Sequence, residues 1–147
     1  MKKIAVIGGV NVDVTSHPNG QLISGQKNPG AITMVLGGSG WNIAANLARL
    51  GQNVSFIART GDDFPGRYAR RTLEDLGVDV RNMMLDRDGN TPAYMEVLNL
   101  MDALELSFGD DSVLARLDAA QLDRAGEAIT GTPTRSEERR VGKECRS

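Results

Sequence analysis

Whatever chemistry this sequence holds is concentrated in one glycine run and one aspartate. Gly37-Gly38-Ser39-Gly40-Trp41-Asn42 joins a strand-like stretch to an amphipathic helical one. Glycines at such a turn permit positive φ and let a ligand approach backbone amides. The positive end of the following helix and its free N–H groups favour electron-rich oxygens. Asn42 falls in the first helical turn, with Asn46 one turn later on the same face. Its amide can donate and accept at the helix mouth, as recognition of a vicinal diol requires. The same residues also read as a tight turn with helix-packing glycines, and on physics alone the two readings stand level. Asp13 lies just past the first strand-like run, at the carboxyl edge where open α/β sheets bind ligands. A carboxylate there can accept two hydroxyl hydrogens at once, although taken alone a turn-capping aspartate is the more ordinary reading.

Other chemistries fit poorly. A dinucleotide fingerprint needs a small residue where Ile43 stands, and no Gly-Lys-Ser/Thr ending supplies a phosphate-gripping loop. His17 is the sole histidine and Cys145 the sole cysteine, which argues against a histidine triad, an internal disulfide or a multi-ligand zinc site. Ser39 and Ser107 therefore have no histidine to activate them as nucleophiles. A net charge of −2 gives no basic field for nucleic acid or an anionic membrane. No apolar run spans a bilayer, so a cytoplasmic address is expected.

Several elements must position these residues. Ile4–Ile7 is a short apolar run ending at Gly8-Gly9, the pattern of a buried strand. Asn11–Val14 alternates polar and apolar, as at a strand exit, and residues 15 to 30 read as loop. Ala31–Leu36 is strand-like, and the spacing of Trp41, Ala44, Ala45 and Ala48 predicts a helix closed by Gly51. Val54–Ala58 reads as a strand running into a Thr60–Asp63 turn, and Pro65 opens a second helix through Leu76. Arg81–Leu85 and Ala93–Leu98 are strand candidates on either side of an Asp88-Gly89 turn, a hairpin-like pair. Leu104–Phe108 alternates, and Asp118–Ile129 predicts a third helix. Strands alternating with helices argue for a parallel α/β sheet, with the hairpin-like pieces forming something extra.

The run Gly37–Ala44, followed by Gly51 and Gly61, resembles the first signature of the PfkB carbohydrate kinases in residue type and spacing. Gly9–Asp13 and Thr60–Gly66 are similar to two further stretches of that family, in order, over roughly residues 3 to 130. The resemblance implies a ribokinase-like fold: a parallel sheet flanked by helices, here incomplete, with a small β lid. Its lid strands would fall within about 13–36 and 92–100. It implies that Asp13 holds sugar hydroxyls, that Gly37, Gly38 and Gly40 line the sugar pocket, and that Asn42 bonds the sugar. Asn11, in the Gly9–Asp13 stretch, joins this substrate-binding set. The lid would close over a small-molecule sugar or nucleoside, and a homodimer through the lid is implied as well.

Within the family the sequence resembles the pseudouridine kinases, through Asn28-Pro29-Gly30, the form of Gly37–Leu47, and Asn90-Thr91 ahead of Ala93-Tyr94. Trp41 departs from them, since those relatives usually carry arginine there. An indole could stack on a base or simply pack, but it cannot reproduce a guanidinium's bidentate hydrogen bonds. The family keeps a Gly-Ala-Gly-Asp motif, which supplies the base, and a magnesium-organising Asn/Glu motif in its second half. Residues 1–134 match neither, so no catalytic residue is assigned. The residues that bind ATP and Mg2+ are expected outside this chain, which as given is expected to be inactive and unstable. Other readings are a ribokinase-type sugar kinase, a pentose-binding module without chemistry, and, less well supported, a Rossmann-like oxidoreductase domain.

Arg135–Ser147 departs in composition from what precedes it and resembles the conceptual translation of a sequencing adaptor. The kinase-like part is therefore expected to end near Thr134. Residues 135–147 are expected to be a non-native tail, and Cys145 goes with them.

Overall fold

A computed structural model describes residues 3–130 and 134–137 of the chain. The first sheet is parallel throughout, in the order β5 (Met83–Asp86), β4 (Asn53–Gly61), β1 (Lys3–Ile7) and β8 (Thr134–Glu137). Alternation along β1 and β4 sends side chains to opposite faces. Val6, Val54, Phe56 and Ala58 pack with Ala44 and Ala45 of α1 (Ser39–Arg49) and with Ala69 and Leu73 of α2 (Phe64–Asp75). Ala5 and Ile57 face the other way, against Leu122, Ala125 and Ile129 around α3 (Ala119–Arg124) and α4 (Gly126–Thr130). Helices thus cover both faces of the sheet. The small alanines of α1 let its backbone approach the strands closely, and both α1 and α2 close with carbonyl-capping pairs at Gly51 and Gly77.

The second sheet has the order β3 (Gly30–Gly37), β2 (Asn11–Pro18), β6 (Ala93–Leu98) and β7 (Leu104–Asp110). Its β2–β3 and β6–β7 pairs are antiparallel and its β2–β6 pair is parallel. Directly opposed residues share a face, so the register assigns the two sides. Val14, Met34, Met95 and Phe108 lie on one, and Asn11, Asp13, Thr15 and Tyr94 on the other.

Four local expectations change. Residues 15–18 and 30 are strand, not loop, because β2 pairs with β3 along its whole length and, as far as Ser16, with β6 as well. Thr60 and Gly61 belong to β4, where they pair with Leu85 and Asp86. The two strands flanking Asp88-Gly89 form no hairpin: β5 joins the first sheet and β6 the second. The hairpin is β6–β7, closed by the Asn99 side chain accepting from the Met101 and Ala103 N–H groups. The helix expected over 118–129 is divided at Ala125, beside Gly126, the weakest helix former in the segment.

Of the tail expected from Arg135, only 135–137 lie among the described residues. Their backbone continues β8 along β1, a pairing that depends on main-chain groups and not on side-chain identity. Cys145 lies outside the described residues.

Candidate substrate site

The two sheets meet where β1 runs through Gly8-Gly9 into β2. Asn11 and Asp13, two residues apart on one strand, point to the same side, and Asn11 Nδ2 donates to Asp13 Oδ1. Across the ladder Asn11 pairs with Gly37 and Asp13 with Val35.

The two glycines that end β3 leave room for those side chains. A Cβ on Gly37 would lie 2.1 Å from Asp13 Oδ2. One on Gly38 would lie 2.7 Å from Asn11 Oδ1 and 2.8 Å from the Gly9 carbonyl oxygen, and its φ of +93° disfavours any side chain. Gly38 is also the N-cap of α1, which has no side-chain cap, and the Trp41 N–H donates to the Gly9 carbonyl at 3.1 Å.

Asn11, Asp13, Gly37 and Gly38 are therefore in mutual contact. Gly40 sits behind them, its Cα packed on the Gly8 and Gly9 backbone so that α1 can start there. Asn42 is exposed in the first turn of α1, held through its N–H to the Gly38 carbonyl at 2.9 Å. Trp41 is buried in the core cluster of the first sheet, with no hydrogen-bond partner for Nε1. Of the two readings of Trp41, base platform or packing residue, the structure bears out packing: the ring lies in the core between α1 and the first sheet.

In front of the Asn11–Asp13 pair lies a cleft of about 410 Å3, lined by these two residues, Pro92, Ala93, Tyr94, Gly109, Asp110 and Asp111. Asp110 and Asp111 escaped the sequence reading, and Tyr94 was named there only within a lid strand, not as a site residue. Its place on the cleft follows once β6 is known to pair with β2. The Ser112 N–H holds the Asp110 carboxyl below the ordinary carboxylate range. With three carboxylates and no cation in its lining, the cleft suits a neutral ligand rich in hydroxyl or N–H donors and repels a triphosphate. Among the described residues no group of three histidine, cysteine or acidic side chains is placed to hold a metal ion. The lining of this cleft thus fits a polyol better than a polyanion.

Two polar clusters fix the walls. Asp63, the N-cap of α2, accepts from the Gly66 N–H, the Thr91 N–H and the Thr91 hydroxyl. Burial opposes ionisation of this carboxyl, yet these donors hold it below its ordinary range. Pro92 then passes its carbonyl to the Val12 N–H at 2.8 Å, which locks the start of β6 onto β2. On the far wall the Asp86 carboxylate meets Arg59 at 2.8 Å and Arg116 at 3.2 Å. This ties the segment after Asp111 back to β4 and β5. The Asp88 N–H, followed by the two guanidinium groups, keeps Asp86 below the usual range.

A parallel α/β sheet with a second sheet arching over its carboxyl edge is the ribokinase-like architecture. The model of the pfkB family carbohydrate kinases matches residues 1–124. The chain belongs to the PfkB family of carbohydrate kinases. It is 30% identical over 126 residues to the pseudouridine kinase of Escherichia coli, covering 86% of this chain and 40% of that protein. It is similar in structure to a carbohydrate kinase from Agrobacterium tumefaciens, with a TM-score of 0.82 at 29% identity over 93% of this chain and 45% of the other. The Arabidopsis thaliana ribokinase complexed with ribose and ATP shares the fold, with a TM-score of 0.67 at 21% identity over 74% of this chain and 37% of that one. The chain thus spans less than half the length of these relatives.

Proposed function

We propose that residues 1–134 are the amino-terminal, substrate-binding part of an ATP-dependent kinase acting in the cytoplasm. In this reading it transfers a phosphoryl group to a hydroxyl of a sugar or nucleoside, with pseudouridine the first acceptor to test. The observation that carries it is the Asn11–Asp13 pair, backed by two glycines and opening on an acidic cleft. Asp13 accepts hydrogen bonds from two neighbouring hydroxyls, Asn11 orients it, and Asn42 adds an amide from the helix mouth. The second sheet serves as the lid. Its polar face closes over the acceptor and excludes water, so that the phosphoryl group reaches a sugar hydroxyl and not solvent.

The donor nucleotide, its magnesium and the base belong to sequence beyond Thr134, and residues 135–147 are a non-native tail. The apolar face of the lid, with Met34 64% and Phe108 56% exposed, is the contact between two copies of the complete enzyme. Covering it with the same face of a second lid removes contiguous apolar surface from water.

The test has two arms. Residues 1–147, assayed with ATP and either pseudouridine or ribose, should show no turnover, and robust turnover would overturn the division of labour. In the complete protein, Asp13→Ala with Asn42→Ala should weaken sugar binding by a hundredfold or more, taking roughly 1.5–3 kcal/mol for each hydrogen bond to a charged group. Unchanged affinity would remove the proposed site. A tight, cooperative sugar complex of the 147-residue chain alone would instead favour the pentose-binding module, because every residue lining the cleft lies within this segment.

A further inference from the structure

The lid sheet places one aromatic ring beside the hydroxyl-binding pair. Tyr94 stands directly across from Asp13 in the β2–β6 ladder and directly across from Gly109 in the β6–β7 ladder. Opposed residues share a face, so its side chain rises from the same surface as Asp13. At Gly109 there is no side chain to hold the ring upright. A Cβ built there would lie 3.4 Å from Tyr94 Cδ2 and 3.9 Å from Cε2, so the ring leans over the Gly109 backbone. Its other side is open: Tyr94 is 40% exposed and lines the cleft with Asn11 and Asp13. Trp41, on the first turn of α1, is turned into the core.

We propose that Tyr94 is the platform on which the nucleobase of a nucleoside acceptor stacks, and so the residue that separates nucleosides from bare pentoses. This rests on the kinase reading above and sharpens its substrate class. Every base presents a π-face, whereas a bare pentose has none to offer an aromatic ring. The cleft, at about 410 Å3, lies in the range of roughly 300–1,000 Å3 occupied by drug-sized ligands. Once Asp13 has engaged the sugar hydroxyls, space remains for a base. Asp110 and Asp111 at the rim can accept N–H groups from its edge.

The experiment uses the complete protein that carries this segment. Dissociation constants and kcat/KM are measured for pseudouridine and for ribose with the wild type, Tyr94→Phe and Tyr94→Leu. Losing an aromatic stack should weaken nucleoside binding by about tenfold or more. Tyr94→Leu should therefore lose at least that factor on pseudouridine while changing ribose less than about twofold, and Tyr94→Phe should keep both. Should the leucine variant fail to fold by circular dichroism, Gly109→Val provides the second route. Its branched side chain lifts the ring from its seat, and the same selective loss is expected. Equal losses on both ligands, or none, would overturn the proposal while leaving the kinase reading intact, as would a wild-type enzyme that prefers ribose. A wild type that binds neither ligand would overturn both.

Discussion

Gly37 offers a sharp test of the site, because an alanine there perturbs one group and little else. Gly37 is absent from the positive-φ residues, so alanine meets no backbone penalty at this strand position. Its methyl carbon would lie 2.1 Å from Asp13 Oδ2 and 3.0 Å from Asp13 Cγ, well inside contact distance. The flexible partner yields, so the carboxylate swings aside and gives up the hydrogen bond from Asn11. If Asp13 clamps sugar hydroxyls, each lost bond to this charged acceptor is worth about 1.5–3 kcal/mol. That corresponds to roughly a 10- to 150-fold weaker sugar complex. Isothermal titration of sugar into the complete protein, as wild type, Gly37→Ala, Asp13→Ala and the double variant, reads this directly. Two residues acting through one interaction are not additive, so Gly37→Ala should change affinity less than about twofold once Asp13 is alanine. Additive losses, or a Gly37→Ala protein that binds like the wild type, would refute the claim that this glycine exists to seat the carboxylate.

Two other perturbations bear on the frame around the site. Asp63→Ala removes the cap of α2 and both bonds to Thr91, and should lower stability by about 1–2 kcal/mol for the cap alone, read as a lower urea midpoint. Because the folded protein depresses the Asp63 carboxyl, its contribution is complete above the unfolded value near pH 4 and is lost as pH falls through the folded one. The gap between wild type and Asp63→Ala should therefore close in acid, and a gap that widened there would contradict the assignment. On the apolar face of the lid, Met34→Lys with Phe108→Glu should convert a dimer of the complete protein to monomers on size-exclusion chromatography without loss of helix or strand signal. An unchanged elution volume would exclude that face as the contact.

What the sequence determined by itself were the features written in local order. The apolar run of β1, the alanine stripe of α1, the proline at the start of α2 and the glycine run before Trp41 each specify their conformation within a few residues. The apolar face then tells each helix which side to bury. That was enough to recognise the family and to name Asn11, Asp13, Gly37 and Gly38, which the structure brings into contact. Partnership between distant strands was decided only in three dimensions. Nothing within β6 says that it pairs with β2, some eighty residues earlier, and not with the neighbouring β5. Yet that choice alone puts Tyr94 across from Asp13 and brings Asp110 to the cleft. Residues 15–18 look like loop in sequence because the strands they pair with, β3 and for Thr15 and Ser16 also β6, lie outside the local stretch. Trp41 could have faced a ligand or the core until the packing of α1 on the first sheet fixed its direction. Local periodicity encodes which face of an element is buried, whereas sheet register is a pairing between distant segments, settled only when the whole chain has buried its apolar surface.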